Sequence, residues 1–169
     1  MRGVADKPGL SAEQLGAYFA LTEVGSLLQH AVEQQLRRIG GVSAVQFQIL
    51  ARLANTPGGR MRMTDIADGV VYSRSGLTYQ AGLLERAGYI SRAPASDDER
   101  GVVVTITAAG RDLVERILPD HAALVRELLI DPLDGPDLAV LTDTLTRVRD
   151  HMRAAPPRSA TARRARRPS

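Results

Sequence analysis

Apolar residues recur at three- and four-residue steps through the first forty positions, at Leu15, Phe19, Leu21, Val24, Leu28, Val32 and Leu36. That interval is the period of an amphipathic helix. Ser11 and Gln14 stand at capping-box spacing just ahead of it, so the pattern predicts a long first helix ending near Gly40-Gly41. Ser43 then caps a second helix with Phe47, Leu50 and Leu53 on one side, and Asn55-Thr56-Pro57-Gly58-Gly59 stops it. Thr64 opens a short third helix, TDIADGV. Ser73 opens a fourth, SRSGLTYQAGLLERAG, with Gly88 as its left-handed terminator.

After Gly88 the period changes. YISRA and VVVTI are alternating or β-branched runs separated by the polar stretch PASDDERG, which predicts a β-hairpin with a charged tip. Thr107 caps a fifth helix whose apolar pairs Leu113/Val114, Ile117/Leu118, Leu124/Val125 and Leu128/Leu129 run to about Ile130, with a kink expected at Pro119. Asp134 and Pro136 begin a sixth helix. Its Leu138, Leu141, Leu145, Val148 and Met152 follow a 3-4-3-4 spacing, a seam for a partner helix. The elements make a mainly α fold of six helices with a small β-hairpin wing. Residues 1–9 lack periodicity and read as a flexible N-terminal arm. Residues 153–169 are mostly Ala, Pro, Arg and Ser, a composition that cannot build a core, and read as a disordered arginine-rich tail.

With 169 residues, 44% of them hydrophobic, the chain can bury one core of its own. The absence of cysteine excludes a disulfide scaffold, a thiolate metal site, a catalytic thiol and a thiol-based redox sensor. No apolar run approaches the roughly 18 to 20 residues of a membrane span. The N-terminus MRGVADKPGLSAEQ has no apolar signal core, and the chain reads as cytoplasmic, without a membrane partner. The net charge of +3 hides an asymmetry: six arginines and no acid lie from Arg153 onward, which leaves −3 for residues 1–152. Overall basicity is therefore no argument for nucleic acid, and placement must carry it. Arginine outnumbers lysine 21 to 1. That suits bidentate phosphate contacts and follows equally from skewed codon usage.

The order helix, helix, short helix, helix, two-stranded wing is that of a winged helix-turn-helix. One helix fits the major groove, the helix before it sets the angle, and the hairpin reaches backbone or minor groove. In the fourth helix Leu77, Ala81 and Leu84 recur at i, i+4, i+7 and should face the core, which leaves Arg74, Ser75, Thr78 and Tyr79 on the opposite face. These residue types reach base edges and phosphates. A solvated amphipathic helix would show the same face, and it is the hairpin immediately downstream that favours the groove. At the wing tip Asp97, Asp98 and Glu99 precede Arg100. Three acids suit a solvated turn better than a phosphate contact, unless one of them, Asp98, pairs with Arg100 and orients it for the minor groove.

These residues resemble the MarR (multiple-antibiotic-resistance regulator) family of transcription factors, from about Leu15 to Met152. The pieces that carry the resemblance are VSAVQFQIL, TDIAD, SRSGLT with LLERAGYISR, DDERG and TITAAGRDLVE, in that order. It implies a homodimer formed through the first and last two helices (residues 10–40 and 107–152), with residues 43–106 as the DNA-binding region and a pseudo-palindromic operator as target. It places Ser73, Arg74, Ser75, Thr78 and Tyr79 at groove-facing positions and Asp98 and Arg100 at the wing pair. It also implies repression relieved by a small, aromatic ligand, with Tyr18, His30, Phe47, Leu50 and Val114 as candidate cleft residues, although core packing is the commoner role for most residues of these types at such positions. Gly76 and Gln80 depart from the family pattern; glycine weakens the helix there, and Gln80 needs a hydrogen-bond partner if buried.

No nucleophile with a base, phosphate loop or acid pair stands out, so an enzyme is not expected, nor is a cofactor. His30, His121 and His151 fall on three different helices with no metal-ligand spacing, and no metal site is expected. The rival reading is a non-specific architectural DNA-binding protein that relies on its basic tail.

Overall fold

Two capping boxes set the first two helices. In the computed structural model, which describes residues 9–70, 74–95 and 98–154, the Ser11 hydroxyl accepts from the Gln14 backbone while the Gln14 side chain accepts from Ser11, and α1 runs Ala12–Gly40. Ser43 and Gln46 repeat the arrangement at the start of α2, Ala44–Ala54. Each box satisfies two of the amide groups that a helix start leaves open. Glu33 joins the two helices, its carboxylate accepting from the Ala44 amide at 2.6 Å and from Arg37 at 2.9 Å.

A 3-10 turn at Pro57–Gly59 leads into β1, Arg60–Arg62, and then α3, Met63–Gly69. Helix α4 spans Arg74–Arg86, and the hairpin follows as β2, Ile90–Ala95, and β3, Asp98–Ile106. Thr107 caps α5, Ala108–Val125: its hydroxyl accepts from the Gly110 amide and donates to the Gly88 carbonyl. Gly88 has φ +78°, the left-handed terminator expected there.

Three boundaries differ from the sequence pattern. The sheet has three antiparallel strands in the order β1-β3-β2, with Met61 opposite Val104 and Arg92 also opposite Val104 on the other side. A three-residue strand is too short to show a period, but it covers the edge that β3 would otherwise expose. Helix α3 begins at Met63 after Arg62, so Thr64 does not cap it; its hydroxyl lies 3.4 Å from Asp65. The fifth α-helix, with Pro119 inside it, ends at Val125, and a π turn at Arg126–Ile130 stands where its last turn was expected.

The core lies in the unit that ends at Val125. Leu36 of α1, Ile49, Leu50 and Leu53 of α2, Ile66 of α3, Leu77 and Leu84 of α4, Val104 of β3 and Leu113 and Ile117 of α5 are fully buried. The second unit begins at Arg126. In it the Asp134 carboxylate accepts from the Asp137 amide and starts α6, Gly135–Ala154, which therefore includes Arg153. No residue of α6 is buried. No helix among the described residues is long and apolar enough to cross a membrane.

Candidate functional site

Helix α4 divides into two faces as its sequence requires. Leu77, Ala81 and Leu84 are buried, while Ser75, Thr78 and Tyr79 are exposed, Tyr79 at 62%. Ser75, Thr78 and Tyr79, at i, i+3 and i+4, are thus brought together on one face. Arg74 is the first residue of α4; Ser73 lies outside the described residues.

The helix is tied to its neighbours at its middle and in its last turn. Gln80 has the partner its position demands: its oxygen accepts from the Gln46 side-chain amide at 3.0 Å. Gln46 therefore caps α2 with its oxygen and holds α4 with its nitrogen. In the last turn Glu85 accepts from the Arg92 backbone at 3.1 Å and from two nitrogens of its guanidinium at 2.9 and 2.6 Å. The guanidinium hydrogen-bonded to it holds the Glu85 carboxyl below the usual carboxylate range, with burial opposing. This fork fixes the first strand of the wing to the last turn of α4. Glu85 and Arg92 were not among the residues expected from sequence, although an acid and an arginine flanking a helix-to-strand turn are a visible sign of such a tie.

Asp98 and Arg100 lie at the start of β3. The ladder steps from Pro94 opposite Val102 to Ala95 opposite Asp98, so residues 99–101 bulge out of it at the wing tip. Bulges of this kind turn a strand and re-aim its side chains.

A cleft of about 590 Å³ opens in the first unit among α1, α2, α3 and α5, and a second of about 240 Å³ adjoins it, the two sharing Val32, Ala44, Gln48 and His121. Of the five ligand candidates, Phe47 lines the smaller cleft. Leu50 and Val114 are core residues, Tyr18 is exposed on the front of α1, and His30 is exposed and bonded to Gln34, so the five are not gathered at one place. His121 stands at the junction instead, packed edge-on against Phe47 with ring centroids 5.0 Å apart and bonded to Gln35. Burial pushes its pKa below the ordinary histidine value. Residues 114, 117 and 121 follow the stripe that α5 turns inward, but that spacing alone does not show that His121 meets Gln35.

Arg52, which lines the smaller cleft, donates to the Gly69 carbonyl at the end of α3. A Cβ at position 69 would stand 2.5 Å from that guanidinium, so glycine makes room for the contact. Gly69 and Val70 line the larger cleft and precede α4 by a few residues in the sequence. Among the described residues no group of three or more His, Cys, Asp or Glu side chains could hold a metal ion.

Comparison with known proteins agrees with this fold. Residues 40–101 match the model of the MarR family. The chain is similar to AbsC, a MarR family transcriptional regulator from Streptomyces coelicolor, with 31% identity and a TM-score of 0.82 over 87% of this chain and 99% of that one. It is similar to Sco3205, a MarR family regulator of the same organism solved in complex with DNA, with 27% identity and a TM-score of 0.84 over 90% and 95% of the two chains. It is also 27% identical to the HTH-type transcriptional regulator PecS of Dickeya dadantii, over 87% of this chain and 88% of that protein.

Proposed function

The chain belongs to the MarR family of transcriptional regulators, which are not enzymes, and from that premise we propose that it is a homodimeric, sequence-specific repressor of a pseudo-palindromic operator. The observation that carries the reading is the exposed set Ser75, Thr78 and Tyr79 on a helix whose other face is wholly buried. An α-helix presenting short hydroxyls and a phenol at its N-terminal half suits the major groove. Ser73 and Arg74 extend that surface toward the phosphates at the helix start. Asp98 and Arg100 at the bulged wing tip supply the minor-groove contact, Asp98 orienting the arginine. The DNA complex of the related Sco3205 supports the same use of the fold.

Residues 43–106 form the DNA-binding region in this reading, and residues 10–40 and 107–152 the dimerisation region. The cleft is the place for a small effector, and the Arg52–Gly69 link is the route by which its occupant would disturb the approach to α4. Such a protein works in the cytoplasm, on the chromosome.

Footprinting in excess random duplex tests the reading. Protection of one short, two-fold symmetric site upholds it, whereas uniform protection that vanishes with competitor makes the protein an architectural binder led by its tail.

A further inference from the structure

The Gln46 side chain of α2 has both ends of its amide committed, and the second end reaches α4. The Ser43 backbone N–H donates to Oε1 of Gln46 at 2.9 Å, which turns the oxygen end of that carboxamide toward the helix start. Its nitrogen end therefore faces α4, where Nε2 donates to Oε1 of Gln80 at 3.0 Å. Turning the Gln46 amide over would set donor against donor at Ser43 and acceptor against acceptor at Gln80. The base of this tie is itself held. The Gln46 backbone N–H donates to the Ser43 hydroxyl at 3.2 Å, and the Glu33 carboxylate of α1 accepts from the neighbouring Ala44 amide at 2.6 Å.

Gln80 stands three residues after Leu77 and four before Leu84, so it borders the buried face of α4, and it is half-buried. Apolar contacts such as those of Leu77 and Leu84 are non-directional, and they set how close α4 lies to the core more than how it is turned about its own axis. A hydrogen bond at the border of that face is directional and resists the turn. Side-chain tips lie about 5 to 6 Å from a helix axis, so a turn of about 10° carries Ser75, Thr78 and Tyr79 sideways by about 1 Å. That shift spoils a hydrogen bond to a base edge, whereas counterion release at phosphates tolerates it.

We infer that Gln46 and Gln80 are positioning residues for base reading: their hydrogen bond sets the turn of α4 about its axis, so the choice between DNA sequences depends on it and the general attraction to duplex does not. Gln80 departs from the family pattern at this position, so the tie is this chain's own. The inference rests on the reading of the chain as a sequence-specific regulator and deepens it.

The test selects binding sites from duplexes with a randomised core, using the full-length wild type, and then measures wild type and variants on the selected motif and on a random duplex. Gln80→Leu removes the acceptor and keeps an apolar body. It should relax the core motif and lower the ratio of motif to random affinity about tenfold, near the worth of one base contact, while random-duplex affinity and its salt dependence stay within about twofold. Gln80→Glu keeps an acceptor for Gln46 and should hold the ratio within about threefold, since its added charge acts on any duplex alike and cancels. The double variant Gln46→Glu/Gln80→Glu keeps an oxygen for the Ser43 cap but sets two acceptors against each other, and it should lose the ratio as Gln80→Leu does. It puts the same question if Gln80→Leu does not fold. In the ¹⁵N-labelled protein without DNA, the Gln46 side-chain amide resonance should move on Gln80→Leu and less on Gln80→Glu. An unmoved Gln46 amide, a ratio kept by Gln80→Leu or by the double variant, or equal losses on motif and random duplex overturns the inference. A wild type that selects no motif brings down the regulator reading and the inference with it, and that outcome is told apart because it involves no variant.

Discussion

The winged region and the long helices at the two ends of the sequence are patterned alike, yet they end in opposite states. From Leu36 to Ile117 the apolar stripes of helices and strands face one another and vanish from solvent. Phe19 and Val24 on α1, and Leu145, Val148 and Met152 on α6, follow the same helical period and stay exposed, Met152 at 70%. The difference does not lie in hydrophobicity. Short elements joined by tight turns give each stripe a neighbour from the same chain, whereas in the proposed homodimer the exposed residues of α1 and α6 would find theirs in a second copy.

The comparison breaks most visibly if the exposed stripes need no partner. Leu141 and Leu145 replaced together by Asp should leave almost no soluble, folded protein, because a charged seam cannot be buried between subunits. Sedimentation of the wild type should show a dimer at micromolar concentration; a folded monomer there refutes the contrast. In the self-closed region, Leu50→Ala should cost about 2 to 5 kcal/mol in denaturant unfolding, the price of a cavity at a fully buried site. A loss within error would mean that this core is not the closed one described.

How much of this the sequence carried depends on how far each feature reaches. The two capping boxes, the Thr107 cap and the inward set Leu77, Ala81 and Leu84 are local, and period and residue type sufficed for them. Strand β1 was not legible, since Arg60–Arg62 becomes a strand only through pairing with residues 103–105. The cleft was misjudged in its members for the same reason. His121 acquires its role from Gln35, 86 positions away, while Tyr18 and His30, attractive by residue type, sit on an exposed stretch of α1. Ser75, Thr78 and Tyr79 were readable because one buried face fixes the other on a helix.

Two smaller effects concern the arginines at the C-terminal end and the Glu85–Arg92 ion pair beneath the wing. Truncation after Met152 removes six arginines, five of which follow the last residue of α6 in the sequence. It should weaken operator and random DNA by similar factors, about tenfold or more at low salt, and flatten the salt dependence. A loss confined to the operator would make the tail a base reader. The Glu85–Arg92 fork predicts a pH effect instead. The folded-state pKa of Glu85 is depressed, so its contribution is fully present above the ordinary carboxylate value and is lost as pH falls through the lowered one. Glu85→Gln should therefore lower thermal stability modestly at neutral pH and remove part of the decline on acidification. An unchanged acid limb would show that the fork does not hold the wing.

The central claim, that α4 reads bases while the wing reads groove shape, is met most directly by selecting binding sites from duplexes with randomised core and flanks, using the wild type, Thr78→Ala and Arg100→Ala. The account predicts a two-fold symmetric wild-type motif, relaxed by Thr78→Ala at one or two positions in each half-site, with about 1 to 3 kcal/mol of discrimination lost there. It predicts that Arg100→Ala keeps the core motif and loses preference for A·T-rich flanks. A wild-type motif without symmetry, or a core altered by Arg100→Ala and untouched by Thr78→Ala, would contradict it.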